Sequence, residues 1–327
     1  MNKKLYFLLI LSMLLLVFQG CAQTPSTVAS SASSAVSSEV SSGVGDGVAI
    51  DFIDSSGKQI TFAAAPERII ALTPALVEIL YALEQEQLLV AVGTYCNYPD
   101  ATDSLEKLDS YTLNTERIIE LSPDCLLVNS ISGNTESWGL LEKAGIPVVT
   151  IHAANIAETY DNIALLGELT GSKEAATQII DAMKADFTKL EVLIGDDKPT
   201  VYLEVMPMPN PWTCGTGTFQ DELIRAAGGV NIFADVEGWQ EVSEEQIIMR
   251  DPDIVITSVS PYEGYEDPRA DILSRTNWQT LKAFQTDEEG QNHVFSFDAD
   301  IISRPGPRLS QACLALFELL HDAPLVP

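Results

Sequence analysis

Apolar residues recur along this chain in two alternating patterns. Short continuous runs of four or five mark buried strands, and longer stretches with apolar positions three and four apart mark helices. Arg68–Leu72 reads as a strand, Pro74–Leu83 as a helix with an apolar stripe, and Leu88–Val92 as the next strand. Thr115–Leu121 then reads as a short helix, Cys125–Val128 as a strand, Trp138–Ala144 as a helix and Pro147–Ile151 as a strand. Strands separated by helices predict a parallel sheet with helices on its faces.

Two helices follow in succession, Ile156–Leu166 and, after Gly171, Lys173–Leu193. The second has no strand of its own, which makes it the natural connector between two halves. The pattern then restarts. Thr200–Val205 is a strand, and Phe219–Ala227 is a helix stopped by Gly228-Gly229. Ser243–Met249 is a short helix with a capping box from Ser243 and Gln246. Asp253–Thr257 and Val294–Phe297 are strands, and Pro307–Leu320 is the closing helix. The halves share a phrase: Thr115-Glu116-Arg117-Ile118-Ile119 leads to Ser122-Pro123-Asp124, and Glu244-Glu245-Gln246-Ile247-Ile248 leads to Asp251-Pro252-Asp253. The expectation is an α/β chain of two similar, Rossmann-like lobes joined by one long backbone helix, with a cleft between them.

The N-terminus has a different character. Lys3 and Lys4 precede an apolar run, Leu5–Phe18, that is short for a membrane span. Gly20 and Cys21 follow, so residues 1–20 read as an export signal resembling that of bacterial lipoproteins, with Cys21 the lipidated residue. Residues 21–47 are rich in Ser, Ala, Val and Gly and read as a flexible tether. The boundaries that follow are 48–171 for the first lobe, 172–195 for the connecting helix and 196–327 for the second lobe.

The formal net charge of −29 becomes −31 once the first 20 residues are removed. Such a charge repels nucleic acid, and its bland function is solubility. Cys96, Cys125, Cys214 and Cys313 lack the close spacing of a zinc site, and their disulfide state stays open; Cys125 lies in an apolar strand and reads as a buried small hydrophobe. The three histidines, His152, His293 and His321, form no spaced metal motif. Gly215-Thr216-Gly217-Thr218-Phe219 opens a helix but lacks the Lys of a phosphate loop, so it reads as a tight turn at a cleft edge.

Several phrases together resemble the class III periplasmic binding proteins: Ala71-Leu72-Thr73-Pro74 with Glu78-Ile79-Leu80, Thr94-Tyr95-Cys96-Asn97-Tyr98-Pro99, Leu121-Ser122-Pro123-Asp124, Gly228-Gly229-Val230-Asn231-Ile232-Phe233 and Arg304-Pro305-Gly306-Pro307-Arg308. The resemblance spans the body and is strongest to the cobalamin-binding members of the corrinoid, ferric-siderophore and haem group. It implies a two-lobed monomer that is no enzyme, has no cofactor beyond the corrinoid cargo, and stands outside the cell. Its implied partners are an ABC permease dimer with its ATPase, and the membrane through the lipid on Cys21. The positions matching the family's cleft are Tyr95, Tyr111, Trp212, Trp239, Asp300 and Arg304; Tyr111 stands for a larger aromatic and Trp212 for a smaller one. The resemblance also implies that Glu116 and Glu245 dock onto arginines of the importer.

Flat aromatic rings suit the faces of a corrin, and Asp300 and Arg304 suit its amide rim and phosphate tail. Each residue also has a bland function: core packing for the aromatics and helix N-terminal charge for the glutamates. Arg308, near Arg304, fits either a ligand site or a structural ion pair. The rival ligands are a ferric siderophore or haem, and the rival of another class is an exported α/β enzyme.

Overall fold

The computed structural model describes residues 49–129, 135–287 and 290–322. The export signal, Cys21 and the tether read from the sequence lie outside the described residues. The body opens with an antiparallel hairpin, β1 (Ile50–Ile53) and β2 (Gln59–Phe62). Ile60 and Phe62 are buried and alternate with exposed neighbours, so one face meets the core. Asp54 holds the turn: Oδ1 accepts from the Ser56 amide and hydroxyl and from the Lys58 amide, and Oδ2 accepts from the Thr150 amide at 3.0 Å. Burial alone would raise the Asp54 pKa, but these bonds outweigh it and hold the carboxyl below its ordinary value.

The first lobe continues with β3 (Ile69–Ala71), α1 (Pro74–Ala82), β4 (Leu89–Gly93), β5 (Glu106–Leu108), α2 (Thr115–Leu121), β6 (Cys125–Val128), α3 (Thr135–Lys143) and β7 (Val148–Thr150). Its sheet runs β5-β4-β3-β6-β7 with every pair parallel. Ile69, Ala71, Cys125 and Leu127 join one hydrophobic core, while Ile70, Leu126 and Val128 join another on the opposite face. Both faces are covered, which is why these strands are continuous apolar runs in the sequence.

Helices α4 (Ile156–Leu169) and α5 (Lys173–Leu193) follow. The 21 residues of α5 span about 32 Å at ~1.5 Å each. Ala176, Met183 and Leu190 are its buried residues, spaced seven apart on one stripe. The stripe packs against α4, where a Cβ on Gly167 would come within 2.5 Å of the Ala176 Cβ. Beside the stripe, one turn beyond Met183, Asp186 accepts a 2.7 Å hydrogen bond from the Ser310 hydroxyl of the closing helix.

The second lobe holds β8 (Thr200–Met206), β9 (Trp212–Cys214), α6 (Phe219–Ala226), β10 (Val230–Asn231), β11 (Trp239–Glu241), α7 (Glu244–Arg250), β12 (Ile254–Thr257), α8 (Pro268–Ser274), β13 (Val294–Ser296), α9 (Ala299–Ile302) and α10 (Leu309–His321). Its sheet runs β11-β9-β8-β12-β13, with β10 also paired to β8. β8, β12 and β13 are parallel, but β9 and β11 are antiparallel to their neighbours. This sheet is therefore mixed, where the helix–strand alternation predicts a parallel one. The sequence also suggests loops around Trp212 and Trp239; instead Trp239 lies in the three-residue edge strand β11 and Trp212 in the three-residue β9 between β11 and β8, with Trp212 opposite Glu241 and Trp239 opposite Cys214. Pairing of β9 with β8, and of β11 with β9, supplies the order that so short a segment cannot signal alone.

The repeated phrase is a repeated structure. α2 and α7 are each seven residues long and end at a left-handed residue, Ser122 or Asp251. Asn114 caps α2, and the Ser243–Gln246 capping box closes α7. After each proline an aspartate anchors the start of the adjacent strand. Asp124 accepts from the amides of Glu67 and Arg68, and Asp253 accepts from the amide and hydroxyl of Thr200. Cys96, Cys125, Cys214 and Cys313 are buried free thiols. Burial pushes Cys96 up to about 11 and the other three to about 12, so they are neutral and poorly reactive at neutral pH.

Replacing Asp54 with Ala is expected to cost about 1–3 kcal/mol at neutral pH, by leaving buried donors unmet. A carboxyl with a depressed folded pKa stabilises above its unfolded pKa and stops doing so as pH falls through the folded value. Urea denaturation should therefore show a smaller gap between wild type and Asp54→Ala at pH 3 than at pH 7; an equal gap would reject the ionised role.

Candidate ligand-binding cleft

A cavity of 330 Å³ lies between the lobes. From the first lobe it is lined by residues just beyond the C-terminal ends of the strands: Thr73 after β3, Tyr95 after β4, Ser110 and Tyr111 after β5, Asn129 after β6 and His152 after β7. In a parallel sheet these ends share one edge, the usual place for a ligand crevice. Gly93 permits the close approach beneath them. A Cβ there would lie 2.2 Å from the Leu72 carbonyl oxygen and 2.5 Å from the Ser110 hydroxyl, which itself donates to Leu72 O at 2.9 Å. Asp109 accepts from the amides of Tyr111 and Thr112 and so sets the turn that presents Tyr111. The exposed rings of Tyr95 and Tyr111 meet edge to face, centroids 6.0 Å apart.

From the second lobe come Phe219, Asp300 and Arg304. Thr218 caps α6 by accepting from the Asp221 amide, which fixes Phe219 at the first helical position. The Gly215–Phe219 segment is thus a turn at the cleft edge, as its sequence indicates. Trp239 packs edge to face on Phe219 at 6.2 Å and is 39% exposed. It stands one ring behind the cavity wall. Trp212 is partly buried on the edge ladder and does not line the cavity.

Glu78 is the centre of the polar floor. It sits on α1, 4% exposed, among Leu76, Val77, Ile79 and Leu80. Arg304 Nη1 donates to its Oε1 at 2.9 Å; Arg308 donates to both oxygens, Nε at 2.8 Å and Nη2 at 2.7 Å. Arg304 also meets Asp300 at 2.7 Å and the Tyr95 carbonyl at 3.3 Å. Asp300 in turn accepts from Asn97 of the first lobe at 2.7 Å. The Arg308 guanidinium lies 3.8 Å from the centroid of Tyr98, a cation–π contact. Two carboxylates thus balance two guanidiniums across the lobe boundary. Burial alone would lower the Arg308 pKa; its bonds to Glu78 outweigh that and raise it.

This geometry changes the part expected of Arg304 and leaves that of Asp300 open to it. The sequence suggests that Arg304 reaches for ligand oxygens. Instead it is 9% exposed and engaged by Glu78, Asp300 and Tyr95, so it shapes the floor. Asp300 is also engaged on both oxygens, but a carboxylate accepts more than two bonds and this one stays partly exposed. Glu78, Phe219 and His152 also belong to the site, though nothing in the sequence assigns them to it. An acid inside an apolar helix was the available signal for Glu78.

Glu116 and Glu245 are exposed at the second position of α2 and α7. Hydrogen bonds from its own amide and from Ser243 hold the Glu245 carboxyl below its ordinary pKa. α2 leaves the loop that carries Tyr111, and α7 leaves β11, whose last residue faces Trp212. The two acids therefore occupy matching places in the two lobes.

The family model described as "Periplasmic binding protein" matches residues 69–299. An ABC transporter substrate-binding lipoprotein of Bacillus subtilis (strain 168), YvrC, named as uncharacterized, is 30% identical over 281 residues, covering 84% of this chain and 85% of the relative. The vitamin B12-binding protein of Vibrio cholerae is 29% identical over 249 residues, covering 75% of this chain and 86% of the relative. A crystal structure from Staphylococcus epidermidis, described as a possible iron-binding (periplasmic solute-binding) protein, is similar with a TM-score of 0.67 and 30% identity, covering 79% of this chain and 99% of that one. The chain belongs to the periplasmic binding protein family. It is a binding protein rather than an enzyme, with the two-lobed α/β fold and long linking helix of its solved relatives.

Glu78→Gln is expected to lower stability by about 3–5 kcal/mol, because it leaves buried guanidiniums facing a neutral amide. Urea denaturation at pH 7 measures this, and a loss below about 1 kcal/mol would count against the floor's structural part.

Proposed function

We propose that this protein is the extracytoplasmic, lipid-anchored receptor of an ABC importer, and that its cleft carries a corrinoid such as cobalamin. The observation that carries the ligand class is the cavity between two lobes with Tyr95 and Tyr111 on one side and Phe219, backed by Trp239, on the other. A corrin is a broad disc with amides around its rim. Aromatic side chains cover such a face with large area at small entropic cost, and Ser110, Asn129, Asn162 and Asp300 supply polar groups around the wall. The vitamin B12-binding relative supports the same reading.

Haem or a ferric siderophore is the second reading. The specific observation in its favour is His152, which lines the cleft with Tyr95 and Tyr111 and adds imidazole and phenol groups suited to iron. The iron-binding description of the Staphylococcus epidermidis structure points the same way. Titrations with cyanocobalamin, haem and a ferric siderophore, followed by absorbance and Trp fluorescence, discriminate them. The corrinoid reading expects saturable cyanocobalamin binding at micromolar concentration or below, and no uptake there would reject it. Within that titration, Tyr95→Ala and Trp239→Ala should each weaken binding about tenfold, and Trp212→Ala less, since Trp239 packs on Phe219 in the cavity wall whereas Trp212 does not line the cavity.

Delivery depends on docking. Glu116 and Glu245, one per lobe, place negative charge at equivalent positions, where a permease dimer would present two cations. The paired substitutions Glu116→Arg and Glu245→Arg should leave ligand affinity unchanged and abolish most cellular uptake. Normal uptake by the double variant would remove the docking role. Cys21 is the proposed point of lipid attachment, and intact-mass measurement of the membrane-bound protein tests it.

A further inference from the structure

We infer that Tyr262, stacked on Tyr265, is an aromatic platform through which the second lobe contacts a planar group of the cleft's cargo. The inference rests on the macrocycle reading above. Its first support is position. β12 ends at Thr257, which pairs in parallel register with Ser296 at the end of β13. Four residues beyond Ser296, Asp300 lines the cavity. The segment leaving β12 therefore emerges from the same sheet edge, the second-lobe counterpart of the edge that carries Tyr95, Tyr111 and His152 in the first lobe.

The second support is the form of the segment. Tyr262 and Tyr265 exchange backbone hydrogen bonds of 3.1 and 2.8 Å across a tight turn containing Gly264, whose φ is +84°. Their rings stack at 5.1 Å with planes 17° apart, and Tyr262 remains 56% exposed. An exposed apolar ring held parallel to a second one presents a flat face to whatever lies in front of it.

The third support is how firmly it is held. The Tyr265 hydroxyl donates to Asp271 at 3.3 Å, and Arg275 bridges Asp271 at 2.7 Å to Glu204 at 2.6 Å. Glu204 is fully buried on β8, paired with Thr257, and its carbonyl accepts from the Ser258 amide. A buried ion pair stabilises a fold weakly but fixes one geometry well, because losing either partner strands a charge. Here it fixes the base of the turn that displays Tyr262. A rigid ring exposed at a binding edge avoids the entropy cost of ordering a loop on ligand uptake.

The test uses the full body with cyanocobalamin as probe. Tyr262→Ala should weaken binding about tenfold, and Tyr262→Phe should retain it, since the ring face and not the hydroxyl is in contact. Hydroxyl-radical footprinting read by mass spectrometry should show Tyr262 protected at saturating cyanocobalamin. If wild type binds but Tyr262→Ala binds equally and Tyr262 stays unprotected, the platform is overturned and the corrinoid reading stands. If wild type takes up haem instead, the same two measurements on haem decide the platform. If it takes up neither macrocycle, both the platform and the reading beneath it fall.

Discussion

A carboxylate placed inside an apolar helix has to be neutralised from elsewhere, and in this protein the neutralising groups lie in the other lobe. Glu78 meets Arg304 and Arg308 more than 220 residues further along the chain, and Asp300 balances the second guanidinium. Taking these ions out of water is costly, and the cost is met only while the lobes stay in register. Separating them would leave buried charges unmatched. The cluster, the Tyr98–Arg308 contact and the Asn97–Asp300 bond therefore make the cleft floor a fixed boundary. The 21-residue α5 acts in the same sense, since a continuous helix packed on both lobes has no hinge residue to absorb a large rotation. Both features oppose a large rotation of one lobe against the other.

The two lobes divide the work unequally. The first contributes strand-end loops on a fully parallel sheet, so its lining residues fan out along one edge in strand order. The second doubles back after β8, and its antiparallel edge brings Trp239 against Phe219 from the side. The lobes nevertheless retain a common unit, the seven-residue helix, left-handed stop, proline and strand-anchoring aspartate. That unit sets Glu116 and Glu245 in equivalent places, although the cleft itself is asymmetric.

Much of the fold was legible because burial imposes a local period. Strands covered on both faces are apolar nearly throughout, so β3, β6 and β12 stood out, as did β8 despite its buried Glu204, and the bounds of α2, β6 and α5 agree with those expected from the sequence. Helix ends were legible where a side chain closes them, as with Ser243 and Gln246. The β1–β2 hairpin and β9, β10 and β11 were missed, because segments of two to four residues leave too short a pattern to separate from a turn.

For the site, the sequence by itself determined which residue types stand at the strand ends: Tyr95, Tyr111, Asp300 and Arg304 all reach the cavity. The aromatic and acidic character of those loops is written locally. Only the tertiary structure decided that Arg304 is spent on Glu78, that Trp212 stands aside and Phe219 takes a wall position, and that Tyr262 is stacked and held. The physical reason is distance along the chain. An ion pair or a ring contact between residues far apart in sequence depends on where the sheets and α5 carry them, and no local period records that separation.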